Sequence, residues 1–280
     1  MKQEAVARPR VEGKFLYLGS EKFFVKGVTY GAFPPNRQGH QFPEAPDVAR
    51  DFGLMREAGI NAVLTYTVPP LSVLDEAEEH GLRVIVTTPW MEHRCFLERR
   101  EFREQARREV REGVAACRRH PAVLLYCVGK EIPPAIVRWH GARKVGAFLR
   151  DLYDVAKDED PDSLVTYTNF PTTEYLELPF VDVYTFNVSL RQRPDFCAYL
   201  SRLQHIAGEL PLGPCHDFAR RARRHQCGVP EAPLSVYVRT HGTDKARRRG
   251  SRALPAVRVA DFHRPGWAES PCRSMLRSLG

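Results

Sequence analysis

Residues Ala122–Pro133 read Ala-Val-Leu-Leu-Tyr-Cys-Val-Gly-Lys-Glu-Ile-Pro, and this stretch does most to decide the fold. The part from Ala122 to Val128 is apolar throughout, which is typical of a strand buried on both faces, as the strands of parallel sheets are. A lysine and a glutamate follow shortly after that strand ends. The stretch therefore predicts a parallel sheet covered by helices, with charged side chains at the carboxyl end of a buried strand.

The same alternation of apolar strands and amphipathic helices continues on both sides of this stretch. Predicted strands span residues 23–30, 60–67, 82–88, 122–128, 164–168 and 181–186. Six such βα units with helical crossovers imply parallel strands, and a (β/α)8 barrel, the TIM barrel, is their natural completion. A doubly wound open sheet is the competing topology, but the chain lacks a glycine-rich phosphate turn after the first strand.

The pattern stops near Leu212, at the start of a seventh strand. Residues 213–280 hold 13 Arg and one Lys against five acidic residues, a net charge of +9, whereas the whole chain carries +8 and residues 1–212 therefore −1. We divide the chain into an incomplete barrel, residues 1–212, and a basic tail, residues 213–280, which we expect to be disordered or translated out of frame. Without strands seven and eight, strands one and six would be left as open edges.

The tail contains two patterns that could bind other molecules. Arg-rich runs at residues 219–225 and 245–252 could contact phosphates, but no recognised nucleic-acid module surrounds them, so we expect no nucleic-acid partner. Near its start, the tail also places two cysteines and two histidines within 13 residues, namely Cys215, His216, His225 and Cys227. Their spacing matches no common zinc finger, and we expect no metal.

Three features of the sequence bear on cellular location. The first residues, Met-Lys-Gln-Glu-Ala-Val-Ala-Arg, contain no apolar h-region. No apolar run approaches the roughly 18 to 20 residues that span a bilayer. Seven cysteines without a CxxC pair fit reduced thiols better than a disulfide framework. We therefore expect a cytoplasmic protein without a membrane span.

Polar and aromatic side chains follow several predicted strands, where a parallel barrel builds its active site. Those that could hydrogen-bond to or stack on a sugar are Trp90, Lys130, Glu131, Trp139, Asn169 and Asn187. A carboxyl held among apolar neighbours at the barrel mouth could serve as a general acid, and Glu131 is the candidate for this role. A rim ion pair with Lys130 or Arg138 is the alternative for Glu131, and core packing is the alternative for both tryptophans.

Six segments between about residues 12 and 212 carry a family resemblance. They are FFVKGVTYGAFPPN, INAVLTYTVPP, LRVIVTTPW, LLYCVGKEIP, TNFPTTEYL and VDVYTFNVS. In this order they resemble the TIM barrel of family-2 glycoside hydrolases, and are most similar to the version fused ahead of bacterial glycosyltransferases. The resemblance implies retaining hydrolysis of β-glycosides by two glutamates, with the acid/base glutamate at Glu131. It also implies a carbohydrate ligand, a glycosyltransferase domain encoded downstream as a candidate partner, and no cofactor.

The chain departs from the family pattern near the expected catalytic centre. Lys130 stands where members usually carry the Asn that binds the sugar 2-hydroxyl. Leu64 matches a position that commonly holds Arg, and Ser189 one that often holds Tyr.

The nucleophilic glutamate should follow Leu212 within about five residues, by the resemblance, yet His216 lies nearest and Asp217 one position beyond. Because a one-residue shift turns a side chain to the opposite face of a strand, Asp217 is a poor substitute. The sequence therefore predicts a retaining β-glycoside hydrolase-type domain that is weak or inactive. The alternative is a non-catalytic carbohydrate-binding or regulatory barrel associated with a glycosyltransferase.

Overall fold

A computed structural model of the chain describes residues 8–188, 190, 193–216 and 236–239. Within them, eight parallel strands form a closed barrel, helices pack against its outside, and a small antiparallel sheet precedes it. The α/β barrel class predicted from the sequence is confirmed.

The small sheet closes the amino-terminal end of the barrel. Its strands, in order across the sheet, are β1 (Pro9–Glu12), β2 (Phe15–Leu18) and β3 (Glu21–Lys22). Leu16 is buried, and Val11 and Phe23 pack with it against apolar residues inside the barrel. This small sheet therefore covers the lower end of the barrel interior.

The barrel strands follow one another around the ring in chain order. They are β4 (Lys26–Tyr30), β5 (Ala62–Thr65), β6 (Arg83–Thr87), β7 (Val123–Lys130), β8 (Val165–Asn169), β9 (Tyr184–Val188), β10 (Leu212–His216) and β11 (Val236–Arg239). The ring closes because β11 pairs in parallel with both β10 and β4, with Val238 opposite Val28 in the second pairing. Their carboxyl ends therefore all open at one mouth.

The ring has more strands than the sequence predicted. Leu212, placed at the boundary of the barrel, begins β10, and Val236–Arg239 supplies an eighth strand from the tail. The predicted open edges at β4 and β9 are therefore wrong, since each has a parallel partner on both sides. Four residues are too few to show a periodicity, so the sequence alone does not reveal this strand. Apart from β11, the tail after β10 lies outside the described residues.

Helices cover the outside of the barrel. They are α1 (Ala45–Glu57), α2 (Leu71–Glu79), α3 (Arg100–Cys117), α4 (Pro134–His140), α5 (Ala142–Glu159) and α6 (Arg193–Ala207). Between β8 and β9 there is only a 3-10 turn, Pro171–Thr173, so the fifth of the predicted βα units lacks an α-helix. Pro179 would interrupt a longer helix in this connection, and Leu176 and Leu178 are buried from an irregular loop instead.

The core has two layers, which the alternation along β7 illustrates. Leu125 and Cys127 belong to the cluster inside the barrel, whereas Tyr126 and Val128 belong to the cluster between sheet and helices. All four are almost fully buried. The strand is thus apolar on both faces, as its sequence predicted.

Two findings bear on the predicted environment of the protein. Cys95, Cys117 and Cys127 are free thiols, whereas Cys197 on α6 is disulfide-bonded, so the expectation of uniformly reduced cysteines is wrong at that position. Among the described helices, none combines the length and the apolar character needed to cross a bilayer.

Glu174 ties the loop between β8 and β9 to α6. Its carboxylate accepts hydrogen bonds from Arg202 Nη2 at 2.6 Å and from the Tyr199 hydroxyl at 2.8 Å. The hydrogen bond from Arg202 holds the pKa of Glu174 below its ordinary value. Because the folded-state pKa is depressed, this stabilisation is present above the unfolded pKa of about 4.3 and is lost as the pH falls through the folded value.

Glu174→Gln should therefore lower the free energy of unfolding at neutral pH by at most about 1 kcal/mol, since Arg202 is largely exposed. Urea unfolding across a pH series is the measurement, and the difference from the parent should shrink below about pH 4. Asp154→Asn, which removes a half-exposed ion pair with Arg150 on α5, is the matched control and should change little. A difference that stays constant with pH would rule out an ionic origin.

Candidate active site at the barrel mouth

The end of β7 is irregular, and this irregularity directs Lys130 and Glu131. The register with β8 shifts between Cys127 and Lys130, Gly129 has φ +145° and Glu131 has φ +52°. A β-bulge re-aims the side chains that follow it, and bulges are common beside active sites. The Glu131 N–H still donates to the Thr168 carbonyl at 2.9 Å, so the bulged end remains attached to β8.

Glu131 faces the β9 side of the mouth. Its Oε1 accepts a hydrogen bond from Asn187 Nδ2, and both side chains are half-buried. The structure forms no ion pair between Glu131 and Arg138, both of which are described. The carboxyl is therefore held by a neutral donor while remaining partly open to the mouth.

Lys130 points to the other side of the mouth. Its Nζ lies 3.5 Å from the centre of the Tyr66 ring, which follows β5. An ammonium over an aromatic face is attracted by the ring quadrupole. The bulge thus lets two consecutive charged side chains both reach the mouth, one toward β5 and the other toward β9.

The two tryptophans predicted to contact sugar have opposite environments. Trp90 is 6% exposed; its Nε1 donates to the Val128 carbonyl at 2.7 Å, and its ring packs edge-on against Phe96 and Phe148. Trp139 on α4 is 70% exposed, with Nε1 donating to Glu98 Oε1 at 2.7 Å. Trp139 therefore presents a free ring surface, whereas Trp90 packs as a core residue beneath the mouth.

The two asparagines also differ. Asn169 is 1% exposed and its amide is engaged locally: Nδ2 donates to the Thr173 carbonyl at 3.0 Å, and Oδ1 accepts from the Thr173 hydroxyl at 2.6 Å. Asn169 thus fixes the loop after β8. Asn187 contacts Glu131 directly, whereas Lys130 reaches the opposite side of the mouth and Trp90 and Asn169 lie buried beneath it.

Glu92 is a mouth residue that sequence reasoning did not single out. It follows β6, is 7% exposed, and burial raises the pKa of its carboxyl to about 7, against the opposing effect of backbone N–H groups and the Lys130 charge. Nothing in the sequence distinguishes it from its polar neighbours. Only the packing of the loop after β6 against β7 reveals it.

The end of β10 lies beside this cluster. Cys215 is opposite Asn187 in the parallel pairing with β9, and His216 is opposite Val188. β10 therefore extends to the level of Asn187, whose side chain donates to Glu131. Ser189 and Asp217 lie outside the described residues. Leu64 is buried inside the barrel, where it packs with apolar neighbours.

A cleft of about 720 Å³ lies elsewhere, on the barrel flank. The loop Glu174–Pro179 and residues of α6 such as Arg202 line it, and none of the mouth residues does. We place the candidate site at the mouth because the polar strand ends converge there. Within the described residues, no group of three or more His, Cys, Asp or Glu side chains could hold a metal ion.

Comparisons with solved structures identify the fold. The β-glucuronidase of Ruminococcus gnavus in complex with D-glucuronic acid superimposes with a TM-score of 0.68 and 14% identity, over 84% of this chain and 46% of that one. The Faecalibacterium prausnitzii β-glucuronidase gives 0.64 and 17%, over 82% and 44%. The Parabacteroides merdae enzyme gives 0.63 and 18%, over 83% and 33%.

This chain therefore spans less than half the length of these enzymes, and at such low identity the likeness concerns the fold. Curated protein sequences give no match. The family model of the glycosyl hydrolases family 2, TIM barrel domain, matches residues 10–201, well over half of the chain. The chain therefore belongs to the family-2 glycosyl hydrolases, of which it contains the TIM-barrel domain.

Proposed function

We propose that this domain binds a β-glycoside at the barrel mouth and that Glu131 protonates the oxygen of the leaving group. Turnover is slow, because the end of β10 supplies no carboxylate among residues 212–216 to attack the anomeric carbon. The observation that carries the proposal is the position of Glu131, half-buried at the carboxyl end of β7 and hydrogen-bonded to Asn187.

The surroundings of Glu131 support the role of a proton donor. Asn187 donates to one carboxyl oxygen, which leaves the second oxygen able to carry a proton toward the mouth. Trp139, exposed on the helix that follows β7, offers a ring face for stacking on the ligand. Lys130 offers an ammonium on the opposite side, suited to an oxygen-rich ligand.

The sequence of β10 supports impairment. A retaining mechanism requires two carboxyl groups about 5 to 5.5 Å apart, one as acid and one as nucleophile. Residues 212–216 read Leu-Gly-Pro-Cys-His, without Asp or Glu, although Cys215 is level with the Asn187 that contacts Glu131. A site with an acid and no nucleophile retains only part of its catalytic power.

The test supplies the missing nucleophile from solution. A 2,4-dinitrophenyl β-glycoside needs little acid assistance, so azide can bond to the anomeric carbon from the α face while the bond to the phenolate oxygen breaks. The product is the α-glycosyl azide. We expect a rise in rate of roughly tenfold at about 1 M azide, far short of a built-in nucleophile, whose effective molarity reaches about 10⁵ M or more.

A panel of β-glucuronide, β-glucoside and β-galactoside substrates identifies the sugar, with chloride at equal ionic strength as the control. Fast turnover with retained configuration and no azide effect would contradict the impairment. Failure of every sugar to bind would contradict the proposal itself.

Binding without turnover is the second candidate function, and the absence of a carboxylate from residues 212–216 favours it. In that case saccharides bind, azide has no effect, and Glu131→Gln leaves the affinity unchanged. Association with a glycosyltransferase and a cytoplasmic location remain predictions from the sequence.

A further inference from the structure

Glu92 lies behind the residues proposed to act on the ligand. It sits five residues beyond the end of β6, and its N–H donates to the Trp90 carbonyl at 2.9 Å, which forms a tight turn. At 7% exposure its carboxyl is removed from solvent. A buried carboxyl is costly unless its oxygens find donors, so the groups around it indicate what it does.

Those groups belong to the bulged end of β7 and to its own turn. The N–H groups of Glu92, Lys130 and Trp90 favour the ionised form of the carboxyl, and so does the positive charge of the Lys130 side chain. The bulge lies between Cys127 and Lys130, and a bulge interrupts the regular pairing of the ladder. The loop that holds Glu92 is attached to this end of β7, because Trp90 Nε1 donates to the Val128 carbonyl at 2.7 Å, and the Glu92 carboxylate lies near the backbone of Lys130.

Tyr167 on β8 lies near both glutamates. Its hydroxyl accepts a hydrogen bond from the Ile132 N–H at 2.9 Å, directly after Glu131. Burial raises the pKa of Tyr167, and the charges of Glu92 and Glu131 both add to the effect. The two carboxyls and this phenol therefore belong to one cluster beneath the mouth.

We propose that Glu92 is a positioning residue for Glu131: its buried carboxylate fixes the bulged end of β7, on which Lys130 and Glu131 stand. The functional part of this inference rests on the proposed role of Glu131. The structural part, that Glu92 restrains residues 129–131, can be tested without any ligand.

Protonation connects this role to pH. Burial raises the pKa of Glu92 to about 7, with Lys130 of β7 opposing the rise; Glu131 of β7 and Tyr167 of β8 are the other titratable groups in the cluster. The ionised carboxylate is the form that accepts from backbone N–H groups. The positioning effect should therefore strengthen as the pH rises through about 7.

The experiment compares the full-length protein with Glu92→Gln, Glu92→Asp and Glu109→Gln. Glu109 on α3 also has a buried carboxyl oxygen, but it lies in the outer layer, so it controls for the loss of a buried charge. Backbone hydrogen exchange is measured at single-residue resolution. In Glu92→Gln we expect exchange at Lys130 to accelerate roughly tenfold, because interactions with a charged acceptor are the stronger ones. Exchange at Glu131, whose N–H donates to the Thr168 carbonyl, should accelerate with it as the bulged end loosens. Glu92→Asp should restore part of the protection, and Glu109→Gln should leave these sites unchanged.

Turnover of an aryl β-glycoside is the second readout. Glu92→Gln should lower kcat by up to about 10²-fold with little change in KM, since a small misplacement of a catalytic group costs that much. It should also remove the rise in kcat through about pH 7, which the Asp variant should keep. If no sugar binds, the proposed function fails and hydrogen exchange alone decides. Unchanged exchange at Lys130 and Glu131 in a folded Glu92→Gln variant would overturn the inference.

Discussion

Glu131→Gln is expected to lower the turnover of β-glycosides with poor leaving groups by roughly 10² to 10⁴-fold, the contribution typical of a general acid. An alkoxide leaves slowly unless it is protonated as the glycosidic bond breaks. The glutamine side chain has the same shape, and its amide oxygen can still accept the hydrogen bond from Asn187. The fall in turnover would therefore result from the missing proton and not from a change in the structure of the site.

Steady-state rates with a series of leaving groups are the measurement. The effect of Glu131→Gln should be largest for methyl glycosides and nearly absent for 2,4-dinitrophenyl glycosides, whose phenolate departs unaided. Glu112→Gln, an exposed change on the outer face of α3, is the matched control and should have no effect. An equal loss with every leaving group would show that Glu131 does not act as an acid.

The barrel could be predicted from the sequence because most of its elements are long and periodic. The apolar run of β7 and the patterns of α3 and α5 are set by local alternation, and the structure places helices and a strand there. The eighth strand has only four residues, Val236–Arg239, and its pairing with β4 and β10 identifies it. Short strands are specified by their neighbours rather than by their own sequence.

The candidate site was predicted in part, for a related reason. Glu131 was expected at the mouth because it follows a buried strand, and its contact with Asn187 agrees with that position. The burial of Trp90 and the importance of Glu92 cannot be predicted from the sequence, since both depend on how the loop after β6 packs on the bulge of β7. Spacing along a strand shows where a strand ends, but not where a bulge turns the following side chains.

Gly129 is the residue that this bulge depends on, and Gly129→Ala should be strongly destabilising. Its φ of +145° is a conformation that residues with a side chain rarely adopt. A Cβ there would lie 2.9 Å from Trp90 Nε1 and 3.3 Å from Trp90 Cε2. The indole cannot yield easily, because it donates to the Val128 carbonyl and is packed edge-on against Phe96 and Phe148.

We expect the free energy of unfolding to fall by roughly 2 to 6 kcal/mol, combining backbone strain of about 1 to 3 with overpacking of about 1 to 3. Gly39→Ala separates the two contributions, since Gly39 also has positive φ (+85°) but would place its Cβ in open space. That control should cost only about 1 to 2 kcal/mol. If urea unfolding shows the same decrease in the free energy of unfolding for both variants, the Trp90 indole must move aside to accommodate the new methyl group. The bulge that directs Lys130 and Glu131 would then be held by something other than the contact between Gly129 and the indole.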